Sequence, residues 1–126
     1  MAIKIVDASA LGALAFGEPD AEAVARKLEN ATLAAPSLLW FEMASICRKK
    51  LLAHPDARKT LLAAFGWARR LPIRLSPVDH DNAILIAEAA GLSTYDASYL
   101  WLAANLQGEL VTLDRKLMQA SASTWV

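Results

Sequence analysis

Strand-like runs in this sequence are short, and each is separated from the next by a helical stretch. The apolar run at residues 3–6 is broken only by Lys4. Weaker runs follow at residues 32–35, 72–75 and 110–112, and residues 123–126 offer a last edge strand. Strands separated by helices pair in parallel through crossovers, and the helices cover the sheet. The alternation therefore predicts an α/β protein with a parallel sheet covered on both faces. In such folds ligands collect beyond the carboxyl ends of the strands.

Helix boundaries follow from capping residues and breakers. Ser9 is the expected cap of a short helix reaching Phe16, and Gly17-Glu18-Pro19-Asp20 breaks the chain before a second helix that runs to Asn30. Ser37 is expected to cap a helix over residues 38–53, whose apolar start predicts burial and whose end carries Arg48, Lys49 and Lys50. A turn at His54-Pro55-Asp56 precedes a helix over residues 57–70. Ser76-Pro77-Val78-Asp79 predicts a helix start with Ser76 as cap, and that helix stops at Gly91. Ser93 caps the next helix, which ends near Gly108, and Asp114 caps a brief last one.

The length, 126 residues, fits a single domain over residues 1–126 with its own core. Lys and Arg together equal Asp and Glu at 13 each, so no overall basic field points to nucleic acid, and any such contact must be local. Cys47 is the only cysteine, which excludes an internal disulfide and a thiolate metal cluster and fits a cytoplasmic location. No apolar stretch is long enough to predict a membrane span, and the N-terminus does not read as a secretory signal.

Four acids stand out. Asp7 ends the first strand, Asp114 follows the strand at residues 110–112, Asp96 opens the helix after Ser93, and Glu42 lies among Leu38, Leu39, Ser45 and Ile46 in the most apolar helix. Asp114, Asp96 and Asp7 each have a capping or turn explanation beside a ligand role. Glu42 has none: a carboxylate buried on an apolar helix face needs an arginine or a shared cation, because burying it alone costs several kcal/mol. Together the four suggest one acidic pocket with oxygen ligands suited to Mg²⁺ or Mn²⁺. A divalent cation among clustered carboxylates suits phosphodiester hydrolysis without a covalent intermediate. Competing constellations are absent: His54 and His80 sit in polar contexts, Cys47 reads as core, and there is no glycine-rich phosphate loop or zinc spacing. Ser9 and Thr112, two residues from Asp7 and Asp114, can orient a carboxylate or a bound water. Arg115 and Lys116, beside Asp114, are the best-placed contacts for RNA phosphates.

These residues resemble the PIN-domain family, and more closely the VapC ribonuclease toxins of VapBC toxin–antitoxin pairs. The resemblance is carried by IKIVDASALGALAFGEPDAE, with its strand-end Asp7 and GEP turn, and by APSLLWFEMASICRKKL around Glu42. LSTYDASYLWLAANLQGELVTLDRKL, with Tyr95-Asp96 and Thr112-x-Asp114, is the most diagnostic segment. It implies a three-layer α/β/α PIN-like fold with a central five-stranded parallel sheet. It also implies a Mg²⁺- or Mn²⁺-dependent endoribonuclease that binds metal through Asp7, Glu42, Asp96 and Asp114. Asp7 and Asp96 would be the direct ligands with Asp114 next, and Glu42 would act through water or tune the pocket. Attack in line would leave a 5′-phosphate and a 3′-hydroxyl. The implied partners are an RNA, either tRNA or ribosomal RNA, a cognate antitoxin and a second copy of the chain. Some relatives carry a further acid near the last one, where this sequence has Thr112, Lys116 and Leu117. A single protein-held ion, with another arriving with the RNA, therefore fits as well as two. Two alternatives stay open: a non-catalytic RNA- or protein-binding module with an acidic pocket, and a non-toxin PIN nuclease of RNA processing. Trp40 and Trp101 are expected in the core or a dimer seam, and Trp125 at a dimer or antitoxin contact.

Overall fold

A computed structural model describes residues 2–122. The elements alternate as the sequence predicts: β1 (Ala2–Val6), α1 (Ala8–Ala15), α2 (Ala21–Leu28), β2 (Ala31–Pro36) and α3 (Leu39–Ala53). A 3₁₀ turn (Pro55–Ala57) leads to α4 (Arg58–Arg69), β3 (Ile73–Ser76), α5 (His80–Ala90), α6 (Thr94–Leu106), β4 (Glu109–Val111) and α7 (Arg115–Ser121).

The strands form one parallel sheet in the order β3-β2-β1-β4. The first strand is thus interior. Ile5 lies opposite Ala34 of β2 on one side and Leu110 of β4 on the other. Helices α1, α2, α3 and α4 pack together as one group, and α6 packs on α5 and α7 as a second, giving an α/β/α arrangement. Ile5, Val6, Leu11, Leu39, Met43, Tyr99, Leu102 and Leu117 are fully buried between these layers. Among the described residues the sheet has four strands rather than the five expected. The expected edge strand at residues 123–126, and with it Trp125, lies outside the described residues. No helix among the described residues is long and apolar enough to cross a membrane.

Several helix starts differ from expectation, and at two of them strand pairing decides where the chain is free to turn. Asp7, not Ser9, caps α1: it is the first residue beyond β1, and its side chain accepts from the Ala10 amide. Ser76 remains paired with Pro36 at the end of β3, so the cap of α5 moves to Asp79, which accepts from the Asn82 amide. Helix α3 starts at Leu39 with no side-chain cap, so Ser37 is not used. Ser93 and Asp114 cap α6 and α7 as expected.

The apolar start of α3 is not uniformly buried. Leu39, Met43 and Cys47, four residues apart, face inward, whereas Phe41 is 83% exposed. Trp40 and Trp101 are half-buried against the core, and Trp40 meets Phe65 edge-on at 6.2 Å between ring centres. Two glycines matter to the sheet's surroundings. Gly91 ends α5 in the left-handed conformation, φ 67°. Gly108, between α6 and β4, runs so close to β1 that a Cβ there would lie 3.0 Å from the Ile3 carbonyl oxygen.

Candidate active site

Asp7 and Asp114 sit where β1 and β4 end, side by side because those strands are neighbours. The chain turns at both points into a helix capped by the acid itself. Asp7 is only 5% exposed, and both oxygens of its carboxylate accept hydrogen bonds. Oδ1 accepts from the Ala10 amide at 3.0 Å and from the Ser9 hydroxyl at 2.7 Å. Oδ2 accepts from the Thr112 hydroxyl at 2.6 Å. The same hydroxyls hold the turn after β4: Ser9 Oγ accepts from the Leu113 amide at 2.9 Å and Thr112 Oγ1 from the Asp114 amide at 3.0 Å. Both hydroxyl protons point to Asp7, so the 3.3 Å approach between Ser9 and Thr112 is a contact rather than a bond. Of the two roles open to Ser9 and Thr112, orienting a carboxylate is the one seen. Asp114 is exposed, and its Oδ1 accepts from the Leu117 amide at 2.9 Å.

Glu42 and Asp96 approach the same place from helices. Glu42 lies in the first turn of α3, not in its interior, and is half-buried. No arginine pairs with it among the described residues; its hydrogen-bond partner is a phenol, Tyr99, which donates its hydroxyl proton to Glu42 Oε1 at 2.7 Å. Asp96 occupies the first turn of α6, where its amide donates to the Ser93 hydroxyl at 3.1 Å.

A cleft of ≈ 290 Å³ opens between these elements, lined by Asp7, Ser9, Glu42, Asp96 and Asp114 with Ala8, Ser45, Ile46 and Tyr99. All four acids picked from the sequence therefore meet in one cleft. Among the described residues no lysine or arginine makes an ion pair with any of them; the ion pairs are Lys4–Glu109 and Lys50–Glu18, elsewhere on the surface. Burial raises the proton affinity of Asp7 above the usual carboxylate range, against the bonds from Thr112, Ala10 and Ser9, and the charge of Asp114 adds to the rise. Glu42 is raised by burial, against the Tyr99 bond, with further pressure from Asp96 and Asp7. Asp96 is raised by burial and by Asp114 and Asp7, partly offset by Ser93 and by the positive charge of Lys116. Tyr99 is pushed far up by burial and by Glu42, so it remains a donor at any ordinary pH. The acids thus share one negative field.

The donor set is all oxygen and all acidic, which suits a hard divalent cation in kind. As the side chains stand, no three acid, histidine or cysteine groups among the described residues converge on one point closely enough to grip an ion. Asp7 is turned toward its hydroxyls, Glu42 toward Tyr99 and Asp114 toward its helix.

Arg115 and Lys116 are exposed in the first turn of α7 beside Asp114, and Lys116 is close enough to act on Asp96. His54 and His80 are exposed and do not line the cleft, and Cys47 is buried. Tyr99 escapes a reading of the sequence, although its place one turn after Asp96 on the same helix was the available signal.

Sequence comparison agrees with this geometry: residues 4–122 match the PIN domain. The chain belongs to the PIN-domain family. It is homologous to VapC-type ribonuclease toxins. Ribonuclease VapC3 of Pyrobaculum aerophilum is 31% identical over 120 residues, spanning 91% of this chain and 92% of that protein. Among solved structures, PAE2754 of Pyrobaculum aerophilum superposes with a TM-score of 0.78 at 26% identity, covering 95% of this chain and 85% of that one. The VapC20 toxin of Mycobacterium tuberculosis, described as cleaving the sarcin–ricin loop, shares the fold with a TM-score of 0.66 at 16% identity and 98% coverage of both chains.

Proposed function

We propose that this PIN-domain protein is a Mg²⁺- or Mn²⁺-dependent endoribonuclease acting as the toxin of a toxin–antitoxin pair. The observation that carries the reading is the meeting of Asp7, Glu42, Asp96 and Asp114 in one cleft at the carboxyl edge of the sheet, with no lysine or arginine ion-paired to any of them among the described residues. Burial raises the proton affinities of Asp7, Glu42 and Asp96, and the repulsion among the clustered carboxylates adds to the rise, so a cation in the cleft would relieve both. The same four residues would hold the ion, Asp7, Asp96 and Asp114 directly and Glu42 directly or through water. The ion would supply an acidified water and positive charge opposite the phosphoryl group.

The chain's own residues do the rest. Ser9, Thr112 and the Ala10 amide fix the plane of the Asp7 carboxylate, so it need not be ordered during the reaction. Ser93 and the first turn of α6 hold Asp96 at the rim. Arg115 and Lys116 meet phosphates of the RNA strand as it enters beside Asp114. Hydrolysis leaves a 5′-phosphate and a 3′-hydroxyl. An antitoxin and a second copy of the chain are the partners proposed for the exposed apolar side chains of Phe41, Ile84, Leu85 and Tyr95.

The test is incubation of the purified, antitoxin-free protein with total bacterial RNA and Mn²⁺, beside Asp96→Asn and an EDTA control. A discrete product formed only by the wild-type protein with metal is expected. A folded protein that binds Mn²⁺ but leaves every RNA intact would favour the alternative of a non-catalytic binding module.

A further inference from the structure

The Glu42–Tyr99 contact is not needed to explain the fold. Tyr99 is 1% exposed and packs in the core through its ring, which a phenylalanine would fill equally well. Its hydroxyl reaches the wall of the acidic cleft and spends its proton on one oxygen of Glu42 at 2.7 Å. The Glu42 carboxylate has no other hydrogen bond among the described residues, in contrast to the three that hold the Asp7 carboxylate. A glutamate carries more rotatable bonds than an aspartate, so it has the most freedom to lose on binding a ligand. Asp96 and Tyr99 lie one turn apart on α6, so a single rigid helix both contributes one acid and clamps another from α3.

We propose that Tyr99 is a positioning residue that pins Glu42 through Oε1 and presents Oε2 to a divalent cation held with Asp7, Asp96 and Asp114. The inference rests on the metal-dependent nuclease reading above. Partners behind a metal ligand set its orientation, and losing one typically weakens metal affinity about 10-fold or more. Tyr99→Phe keeps the ring and removes only the hydroxyl.

The experiment is calorimetric titration of Mn²⁺ into RNA-free protein for the wild type, Tyr99→Phe, Glu42→Ala and the double variant, with kcat and KM for RNA measured alongside. Tyr99→Phe is expected to weaken Mn²⁺ binding about 10-fold, to lower kcat at saturating RNA and fixed subsaturating Mn²⁺, and to leave KM for RNA and the thermal midpoint near wild type. In the Glu42→Ala background the same substitution should change Mn²⁺ affinity by less than about 2-fold, because the group it acts through is gone. Wild-type Mn²⁺ affinity in Tyr99→Phe overturns the proposal, as does an equal loss with and without Glu42. A wild-type protein that neither binds Mn²⁺ nor cleaves RNA overturns the nuclease reading, and this inference with it. Should Tyr99→Phe prove unfolded, the Glu42→Ala titration decides: unchanged Mn²⁺ affinity there would remove the ligand that Tyr99 is said to position.

Discussion

The two halves of the acidic cleft are built on different principles. Asp7 and Asp114 stand on the sheet side, at the ends of neighbouring strands, and each is tied by hydrogen bonds within a few residues or across one strand pair. Glu42 and Asp96 stand on the helix side. One is held by a single phenol and the other by the cap of its own helix. The sheet half is pre-set by backbone geometry, while the helix half depends on how α3 and α6 pack. A pre-set wall facing one that depends on helix packing suits the function proposed above, in which the cleft would close around an ion and a phosphate.

Removing one charge from either half tests whether both are needed. Asp7→Asn and Asp96→Asn should each lower RNA cleavage by about 100-fold or more, the usual scale for loss of a group that stabilises charge in a transition state. Urea midpoints should stay near wild type or rise, since a buried charge is lost and asparagine still caps a helix. Retained metal-dependent cleavage in both variants would remove these residues from the site.

Adding the cation tests the coupling of the halves. Mg²⁺ or Mn²⁺ at 100 times its dissociation constant should stabilise the protein by about 2.7 kcal/mol, read as a rise in the thermal midpoint that EDTA reverses. No shift at any concentration would mean that the two walls do not join around an ion.

Thr112→Val sharpens the contrast from the sheet side. It leaves Asp7 Oδ2 and the Asp114 amide short of a partner in a buried place, at a cost of about 1–3 kcal/mol in urea denaturation. Ser93→Ala, on the helix side, removes one cap and should cost about 1 kcal/mol. The reverse ranking would contradict the division into a pre-set and an adjustable wall.

A last effect is that of pH on metal-free protein. Because burial raises Asp7, Glu42 and Asp96, the folded chain holds protons on them more tightly than the unfolded chain does. The stability this gives is complete below the ordinary values, 3.8 for aspartate and 4.5 for glutamate, and is lost as pH rises through the folded values. For Asp7, the most buried, the slope is at most about 1.4 kcal/mol per pH unit. In EDTA, Asp7→Asn should therefore gain on the wild type as pH rises above the ordinary aspartate value, 3.8. A constant difference would mean that Asp7 is not strained by its burial.

The same division explains what could be read from the sequence. The α/β alternation, the parallel sheet, both strand-end acids and the caps Ser93 and Asp114 are local signals, and the structure carries all of them. Hydroxyl residues near helix starts are plentiful, and Ser9, Ser37 and Ser76 were equally eligible caps. For Ser9 and Ser76 the outcome is set by where strand pairing ends, which no local window contains; Ser37, the first residue beyond β2, goes unused with nothing in the pairing to explain it. Glu42 was legible as an acid in need of a partner, but that partner is 57 residues away on another helix. Phe41 shows the converse limit: hydrophobicity marked the start of α3 as apolar without revealing which of its faces would meet the core.

The order of the strands bears on how the protein comes into being on the ribosome. The hydroxyl that orients Asp7, that of Thr112, is added 105 residues after it. At translation rates of about 5–20 residues per second, that is a wait of roughly 5–20 seconds. During it β1 lacks the β4 neighbour that brings Asp114 alongside. A nascent chain halted before β4 carries three of the four acids but no completed cleft. Fragments of that length are therefore expected to be inert toward RNA, and the nuclease activity proposed above would arise only after β4 has been made.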